Sequence, residues 1–231
     1  MRPQRTIPPE PRPLARLPAL ARRWRLFLRS LPAIRDAERL AALDLPWWCF
    51  AATERVERFL AERGGAAAAF EYGPGASTLW LARRCRSVRY VEHDPGWAAR
   101  LQDLLAGVRN AEGTIVPARP AAGGPDARSR RLGWHGLDFS GYVAAIRDAG
   151  GPFDLIVIDG RARAACLRTA TAHLKEDGLI LLDNAGRLAY RTAIRDSGLA
   201  LRRFVGLTPA APYPTQTALL ARSRALLRRL G

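Results

Sequence analysis

Lysine is almost missing from this chain. Of 37 basic residues only Lys175 is not arginine, and alanine is abundant, as a GC-rich coding bias produces. The formal net charge of +16 is therefore not by itself a sign of nucleic-acid binding. Cysteine is scarce too. Cys49, Cys85 and Cys166 are odd in number, widely spaced and form no C-x-x-C. That excludes a disulfide framework and a cysteine zinc site, and fits a reducing cytoplasm. No apolar run approaches the roughly 18 residues of a membrane span. The N-terminus lacks the long apolar segment and small-residue cleavage site of a signal peptide. His135 and His173 are lone histidines and receive no role.

What is present is ample apolar material. In 231 residues, 48% are hydrophobic, enough for the core of one ordinary domain with extensions. The charge is uneven: residues 1–45 sum to +6 and 187–231 to +8, while 46–186 sum to only +2. Basic ends attract anionic surfaces, so nucleic acid, acidic lipid and phosphorylated substrates are all open as partner classes. Solvated arginine faces are an equally good account. The oligomeric state has no sequence signal.

Residues 1–45 read as a basic arm with helices. The Pro/Arg-rich stretch 1–13 has the composition of disorder. Residues 14–31 mix Arg with Leu, Trp and Phe and are interrupted by Pro18; a helix packed on the domain or on a partner subunit is preferred over a membrane-surface helix. A short helix is expected over 33–44. The domain proper, 46–231, opens with a helix over 51–63, where Val56, Phe59 and Leu60 share a face and Gly64-Gly65 stop it.

From there strands and helices alternate. Strands are expected to end at Tyr72 and Glu92, and then to span 114–117, 153–159, 179–183, 199–205 and 216–221. Helices are expected over 96–107, 137–149, 162–174 and 187–197, with loop composition over 118–133 and a turn at Asp177-Gly178. The strand FDLIVID at 153–159 carries a continuous apolar run between its two aspartates, as a central parallel strand does. The pattern predicts an α/β fold: a Rossmann-like, doubly wound, mostly parallel sheet of about seven strands with an N-terminal helical extension. The last two strands are joined by a short Pro-rich loop, too short for a helical crossover, so the last strand is expected to be antiparallel.

The chemistry concentrates in residues 67–94. Strand one ends in Glu71-Tyr72 and runs into Gly73-Pro74-Gly75, where glycines let backbone turn sharply and lie against a ligand. Ser77 and Thr78 can cap the next helix. Against G-x-G-x-x-G, the sixth position is Thr78, a poor match to a dinucleotide turn. Glu71 beside that turn would repel a pyrophosphate, which also disfavours a nicotinamide oxidoreductase. It suits a cation, such as the ammonium and sulfonium of S-adenosylmethionine. Glu92 ends the second strand 19 residues after Gly73, close to the spacing of about 20 at which a carboxylate meets ribose hydroxyls.

With FEYGPGASTLWLA, VEHD and IDGRAR in place, residues 46–221 resemble the class I S-adenosylmethionine-dependent methyltransferases, in a bacterial branch. The resemblance implies that Glu71, Gly73 and Gly75 form the methionine-side loop, that Glu92 binds the ribose, that Tyr72, Ser77 and Thr78 supply neighbouring contacts, and that His93 lies beside the adenosine. Ala76-Ser77 stands where many members have a third glycine.

Asp159 ends the strongest strand, where open α/β sheets bind ligands, and Asp183-Asn184 ends the next. Asp159, Asp183 and Asn184 are similar to the Mg²⁺ ligands of catechol-type O-methyltransferases; helix capping and cofactor contacts at Asp159 without a metal is the preferred reading. Arg161 and Arg163 follow Asp159 and can bind an anionic substrate group. Tyr213 and Thr215 can line an acceptor pocket. Asp159 or His93 is the candidate base.

The expected activity is methyl transfer to a small-molecule acceptor, by O-methylation. Within the same class stands RNA methylation or RNA binding, and outside it an inactive binding or assembly protein on the same fold. No Asn/Asp-Pro-Pro-Tyr/Phe follows strand 153–158, and no Pro-Cys offers a C5-attacking thiol.

Overall fold

The computed structural model describes residues 19–34, 36–121, 127–129, 133–134 and 136–231. The Pro/Arg-rich stretch 1–13, Pro18 and His135 lie outside the described residues. Three helices come first: α1 Ala19–Ser30, α2 Ala37–Ala42 and α3 Phe50–Ala61. The alternating part follows as β1 Ala68–Tyr72, α4 Ala76–Ala82, β2 Ser87–Glu92, α5 Pro95–Leu104 and β3 Ala111–Ile115. Two short strands, β4 Arg119–Pro120 and β5 Leu137–Asp138, pair with each other. Then come α6 Ser140–Ala144, β6 Phe153–Ile158, α7 Arg163–Ala170, β7 Leu174–Asp183, α8 Arg191–Asp196, β8 Ala200–Gly206, β9 Thr215–Ala221 and α9 Arg224–Arg229.

The seven-stranded sheet has the order β3-β2-β1-β6-β7-β9-β8. All neighbours up to β7 are parallel, and β9 runs antiparallel to both β7 and β8, as the short Pro-rich loop requires. The chain has a Rossmann-like, doubly wound, mostly parallel sheet.

β6 lies at the centre and every one of its residues is buried. Its side chains alternate between two cores. Leu155 and Val157 join Val56, Phe59, Leu60, Trp48 and Trp80 on one face. Ile156 and Ile158 join Phe70, Tyr72, Tyr142 and Leu167 on the other. The single lysine works at the amino edge: Lys175 and Arg63 reach Asp154 at 2.9 and 3.2 Å, and the Ala68 N–H donates to it at 2.8 Å. Burial alone would push this carboxyl up, but these donors outweigh it and hold it below its ordinary value.

Several expectations needed adjusting; the helix expected over 137–149 opens as strand β5 and is α-helical only over Ser140–Ala144, with a 3₁₀ turn after it. The third strand is Ala111–Ile115, because Gly113 makes room for the Tyr90 ring, which a Cβ would strike at 1.9 Å. The turn expected at Asp177-Gly178 is an irregularity inside β7, where the register with β6 shifts between Phe153 and Leu155. The helices expected over 33–44 and 187–197 each divide into a 3₁₀ turn and a short α-helix. The C-terminal α9 was not anticipated; Leu226, Leu227 and Leu230 bury it, and Arg55 and Arg58 of α3 donate to the carbonyls of Gly231 and Leu230 at 2.6 Å each.

The N-terminal helices are not a free arm. Leu26, Ala33, Leu40, Ala41 and Leu45 form a third cluster with Phe50, Ala76 and Ala210. α1 is pinned by Arg23, whose Nε and Nη2 donate to Glu54 of α3 at 2.8 and 2.5 Å.

Candidate functional site

Parallel strands deliver their carboxyl ends to one edge, and here the ends of β1, β2, β6 and β7 carry Glu71, Glu92, Asp159 and Asp183 side by side. Backbone hydrogen bonds fix the neighbours: the Gly73 N–H donates to Val91 O at 3.1 Å and the Asp159 N–H to Tyr72 O at 3.0 Å.

The turn after β1 is shaped by packing as well as by any ligand. Gly73 sits at φ +85°, and a Cβ there would lie 2.4 Å from the Cα of Gly160. Two glycine turns, after β1 and after β6, thus touch back to back. The Gly75 N–H donates to Thr78 Oγ1 at 2.9 Å, which caps α4 from its third position. Thr78 therefore has a use that the dinucleotide pattern hides. The Trp97 indole N–H of α5 donates to Pro74 O at 2.8 Å and its ring lies against Gly75. Nothing in the sequence marked Trp97.

Glu71 is fully buried. Ser77 Oγ donates to its Oε1 at 2.5 Å and Thr78 Oγ1 to its Oε2 at 2.6 Å. No cation pairs with it among the described residues. Burial pushes its carboxyl up to about 8; the two hydroxyls oppose that, and the nearby Asp159 and Glu92 add to it. Glu92 is buried as well, and its Oε1 accepts from the N–H groups of His93 and Asp94 at 2.8 and 2.7 Å.

His93 lies among Trp134, Phe139 and Tyr142, with ring centroids 4.7, 5.5 and 5.7 Å away. Its Nδ1 is 2.7 Å from Glu92 Oε1, yet neither ring nitrogen makes an aligned hydrogen bond. The ring is an aromatic wall beside Glu92 and is closed off from solvent, which removes it as a base for an acceptor hydroxyl. Arg161 stacks over Trp134 at 5.6 Å and so covers the same wall. Tyr72 points the other way: its ring packs on Phe70 and Tyr142, and its hydroxyl donates to Val143 O at 2.8 Å. The expected cofactor contact from Tyr72 is corrected by this, because its side chain belongs to the core.

Arg163 also departs from its expected role as a substrate anchor. It is buried, and its fork spans the ends of β6 and β7. Nη2 meets Asp159 O at 2.7 Å and Oδ1 at 2.6 Å; Nε meets Gly160 O at 3.0 Å; Nη1 meets Asp183 O at 2.6 Å and Oδ2 at 3.4 Å. Four of these contacts are hydrogen bonds and the fifth, to Asp159 Oδ1, is an ion pair, so the guanidinium is taken up inside the chain. Burial pushes the Asp159 carboxyl above its ordinary value; Arg163 pulls it down, and Asp183 pushes it up.

The same geometry decides whether Asp159, Asp183 and Asn184 fit Mg²⁺. They do not. The Arg163 guanidinium holds the place of a cation between the two acids. Asp183 Oδ1 accepts from Thr217 Oγ1 at 2.8 Å and its Oδ2 from Asn184 Nδ2 at 2.6 Å, while Asn184 Oδ1 accepts from Arg187 at 2.9 Å. Every ligand atom of that set except one Asp159 oxygen already has a partner, where Mg²⁺ needs free oxygens in near-octahedral array.

Beyond Asp183 the carboxyl edge opens into a cleft of about 710 Å³ between the turn at Ala185-Gly186, the start of α8, the end of β8 and the start of β9. Arg191, Arg203, Thr215 and Gln216 line it. Arg191 and Arg203 are exposed and have no acidic partner among the described residues. Neither stood out in a chain so rich in arginine. Tyr213, 65% exposed, precedes this lining without belonging to it. A second cleft, about 540 Å³, lies at the start of β8 against α9, on the amino edge away from these groups.

No protein-family profile matches the chain, and no curated protein does. Solved structures do. Precorrin 8W decarboxylase from Methanobacterium thermoautotrophicum is 18% identical, with a TM-score of 0.50 over 76% of this chain and 91% of that one. Spermidine synthase in complex with the transition-state analogue AdoDATO is 15% identical, with a TM-score of 0.52 over 79% of this chain and 62% of that one. Precorrin-6y C5,15-methyltransferase from Geobacter metallireducens is 14% identical, with a TM-score of 0.48 over 73% and 87%. The likeness to the first two, at these identities, shows the methyltransferase-like fold and nothing further.

Proposed function

We propose that the protein is an S-adenosylmethionine-dependent methyltransferase acting by O-methylation on a small, anionic acceptor. The observation that carries this reading is Glu71: a buried carboxylate without a cation at the glycine turn, joined at the same edge by Glu92. Ionised, such a pair is costly unless a cationic ligand completes it; free, Glu71 avoids that cost by holding its proton. S-adenosylmethionine supplies, when bound, an electrophilic methyl on a sulfonium.

The chain's own residues then divide the work. Glu71, behind the Ser77 and Thr78 hydroxyls, sets a negative field for an ammonium. Glu92 offers a carboxylate to vicinal hydroxyls, and the aromatic wall of His93 and Trp134 gives a flat apolar side beside it. Asp159 keeps 18% of its side chain exposed, far more than Glu92 at 4%, and its raised pKa brings it towards neutrality as a base for an acceptor hydroxyl. Arg163 holds that carboxylate in place. Arg191 and Arg203 meet an anionic group of the acceptor in the adjoining cleft.

Calorimetry with S-adenosylmethionine tests the first half. Glu71, free, keeps its proton to about pH 8. A cation favours its ionised form, so binding at pH 7 is expected to release up to about one proton, and affinity to rise with pH until about pH 8. Titration in two buffers of different ionisation enthalpy reads the proton count. No binding at millimolar cofactor overturns the proposal.

The second half predicts that Arg203→Ala raises the KM for an anionic acceptor at least about tenfold, the loss of one charge-assisted hydrogen bond, and leaves the cofactor Kd unchanged. EDTA is expected to leave the rate unchanged, since Arg163 already occupies the cation position.

A further inference from the structure

The outward face of α1 is made for a surface other than water. This 12-residue helix contains no acid. Its inner side is fastened: Leu26 is buried, Ser30 Oγ accepts from the Ala210 N–H at 2.8 Å, and Arg23 is bound to Glu54. The helix therefore cannot roll to hide its other side. That side carries Leu20, Trp24 and Leu28, spaced four residues apart and so in one row, at 63%, 49% and 59% exposure. Ile34 extends the apolar surface just past the helix at 47%. Arg25 and Arg29 flank the row, exposed and without acidic partners among the described residues.

We infer that this face docks on an anionic lipid surface, with Leu20, Trp24 and Leu28 entering the interface and Arg25 and Arg29 meeting the headgroups. An amphipathic helix with large apolar side chains on one strip and arginines beside it lies in the plane of a bilayer in this way. Tryptophan suits that depth, since its ring is apolar and its N–H finds water or headgroup oxygen. Charge separates the occupants. In a symmetric pair of copies the two α1 faces would oppose arginine to arginine, with no carboxylate on the helix to relieve it. A nucleic acid would engage the arginines and leave the Leu-Trp-Leu row in water. An acidic bilayer satisfies both. No described helix is long and apolar enough to cross a membrane, so the contact is peripheral. The inference stands independently of the methyltransferase reading.

The full chain should co-sediment with phosphatidylcholine vesicles containing about 30% phosphatidylglycerol and bind pure phosphatidylcholine at least tenfold more weakly. Raising salt from about 0.1 to about 0.5 M should release most of it. Leu20→Ser with Trp24→Ser and Leu28→Ser should reduce partition at least tenfold with no loss in thermal midpoint, and Arg25→Glu with Arg29→Glu should do the same on acidic vesicles. Absence of vesicle binding, equal binding to neutral vesicles, or wild-type binding by the Leu-Trp-Leu variant would overturn the inference. So would concentration-dependent self-association that the Leu-Trp-Leu variant abolishes, since a second copy would then be the occupant.

Discussion

Arg163→Ala is expected to lower the stability of the chain by about 3–5 kcal/mol, the range found when one partner of a buried ion pair is removed. For a chain of this size that is a fall of about 6–20 °C in Tm. The reason lies in what remains. Asp159 and Asp183 would face each other at the ends of adjacent parallel strands, and three carbonyls, of Asp159, Gly160 and Asp183, would lose their donor. Arg163→Lys is expected to recover only part of the loss, because an ammonium keeps the charge but cannot span five acceptors in a plane. Adding Asp183→Asn to Arg163→Ala should restore part of the stability, since one of the two uncompensated charges is then gone while the three carbonyls still lack their donor.

The pH dependence of the alanine variant has a definite sign. Without the guanidinium the folded Asp159 carboxyl rises further above its unfolded value. The folded state then binds more protons, so the variant recovers stability as pH falls and loses it as pH rises through that raised pKa. Urea unfolding at several pH values reads both effects. A loss below about 1 kcal/mol would mean that the fork is not structural, and would return Arg163 to the substrate side.

Glu71→Gln is expected to separate function from stability. Binding of S-adenosylmethionine should weaken by about 2–4 kcal/mol, roughly 30- to 1,000-fold, the size of a buried charge acting on a cation a few ångströms away. The fold should not suffer. Folded, Glu71 keeps its proton to about pH 8; unfolded, it ionises near the ordinary glutamate value of 4.5. Between these values the folded chain holds more protons, so the wild type loses stability as pH rises, by up to about 1.4 kcal/mol per pH unit from this group. Glutamine has no charge to bury and keeps an acceptor for one hydroxyl. The variant should therefore match the wild type near pH 4.5 and exceed it in Tm above pH 8. A variant that binds cofactor as well as the wild type would refute the role of Glu71. One that loses both binding and stability at every pH would make Glu71 a structural group.

The likeness to the methyltransferase fold was legible because its grammar is periodic. Continuous apolar runs at 155–158 and 179–182, each followed by an aspartate, can hardly be anything but central parallel strands. The Pro-rich loop at 207–214 was too short for a crossover, and that alone made β9 antiparallel. The ordered positions of Glu71, Gly73 and Glu92 followed from strand ends. β3 was displaced, since Glu112-Gly113 has loop composition and only the neighbouring Tyr90 ring explains the glycine. The exposed row on α1 was not legible, because the apolar residues of 14–31 do not fall on one clean face and only the packing of Leu26, Ser30 and Arg23 shows which side is covered.

What the sequence determined by itself was which residues arrive at the carboxyl edge, because strand length and turn chemistry are local. Where each side chain points from that edge was decided only in the tertiary structure. Arg163 turns inward because Asp183, 20 residues on, comes to lie beside Asp159 when β7 pairs with β6. Tyr72 enters the core because β1 is covered on that face by Tyr142. Glu71 is sealed by two hydroxyls that α4 brings back over the strand end. A linear pattern places a donor at the edge; the distances that commit it come from strands joined late in the chain.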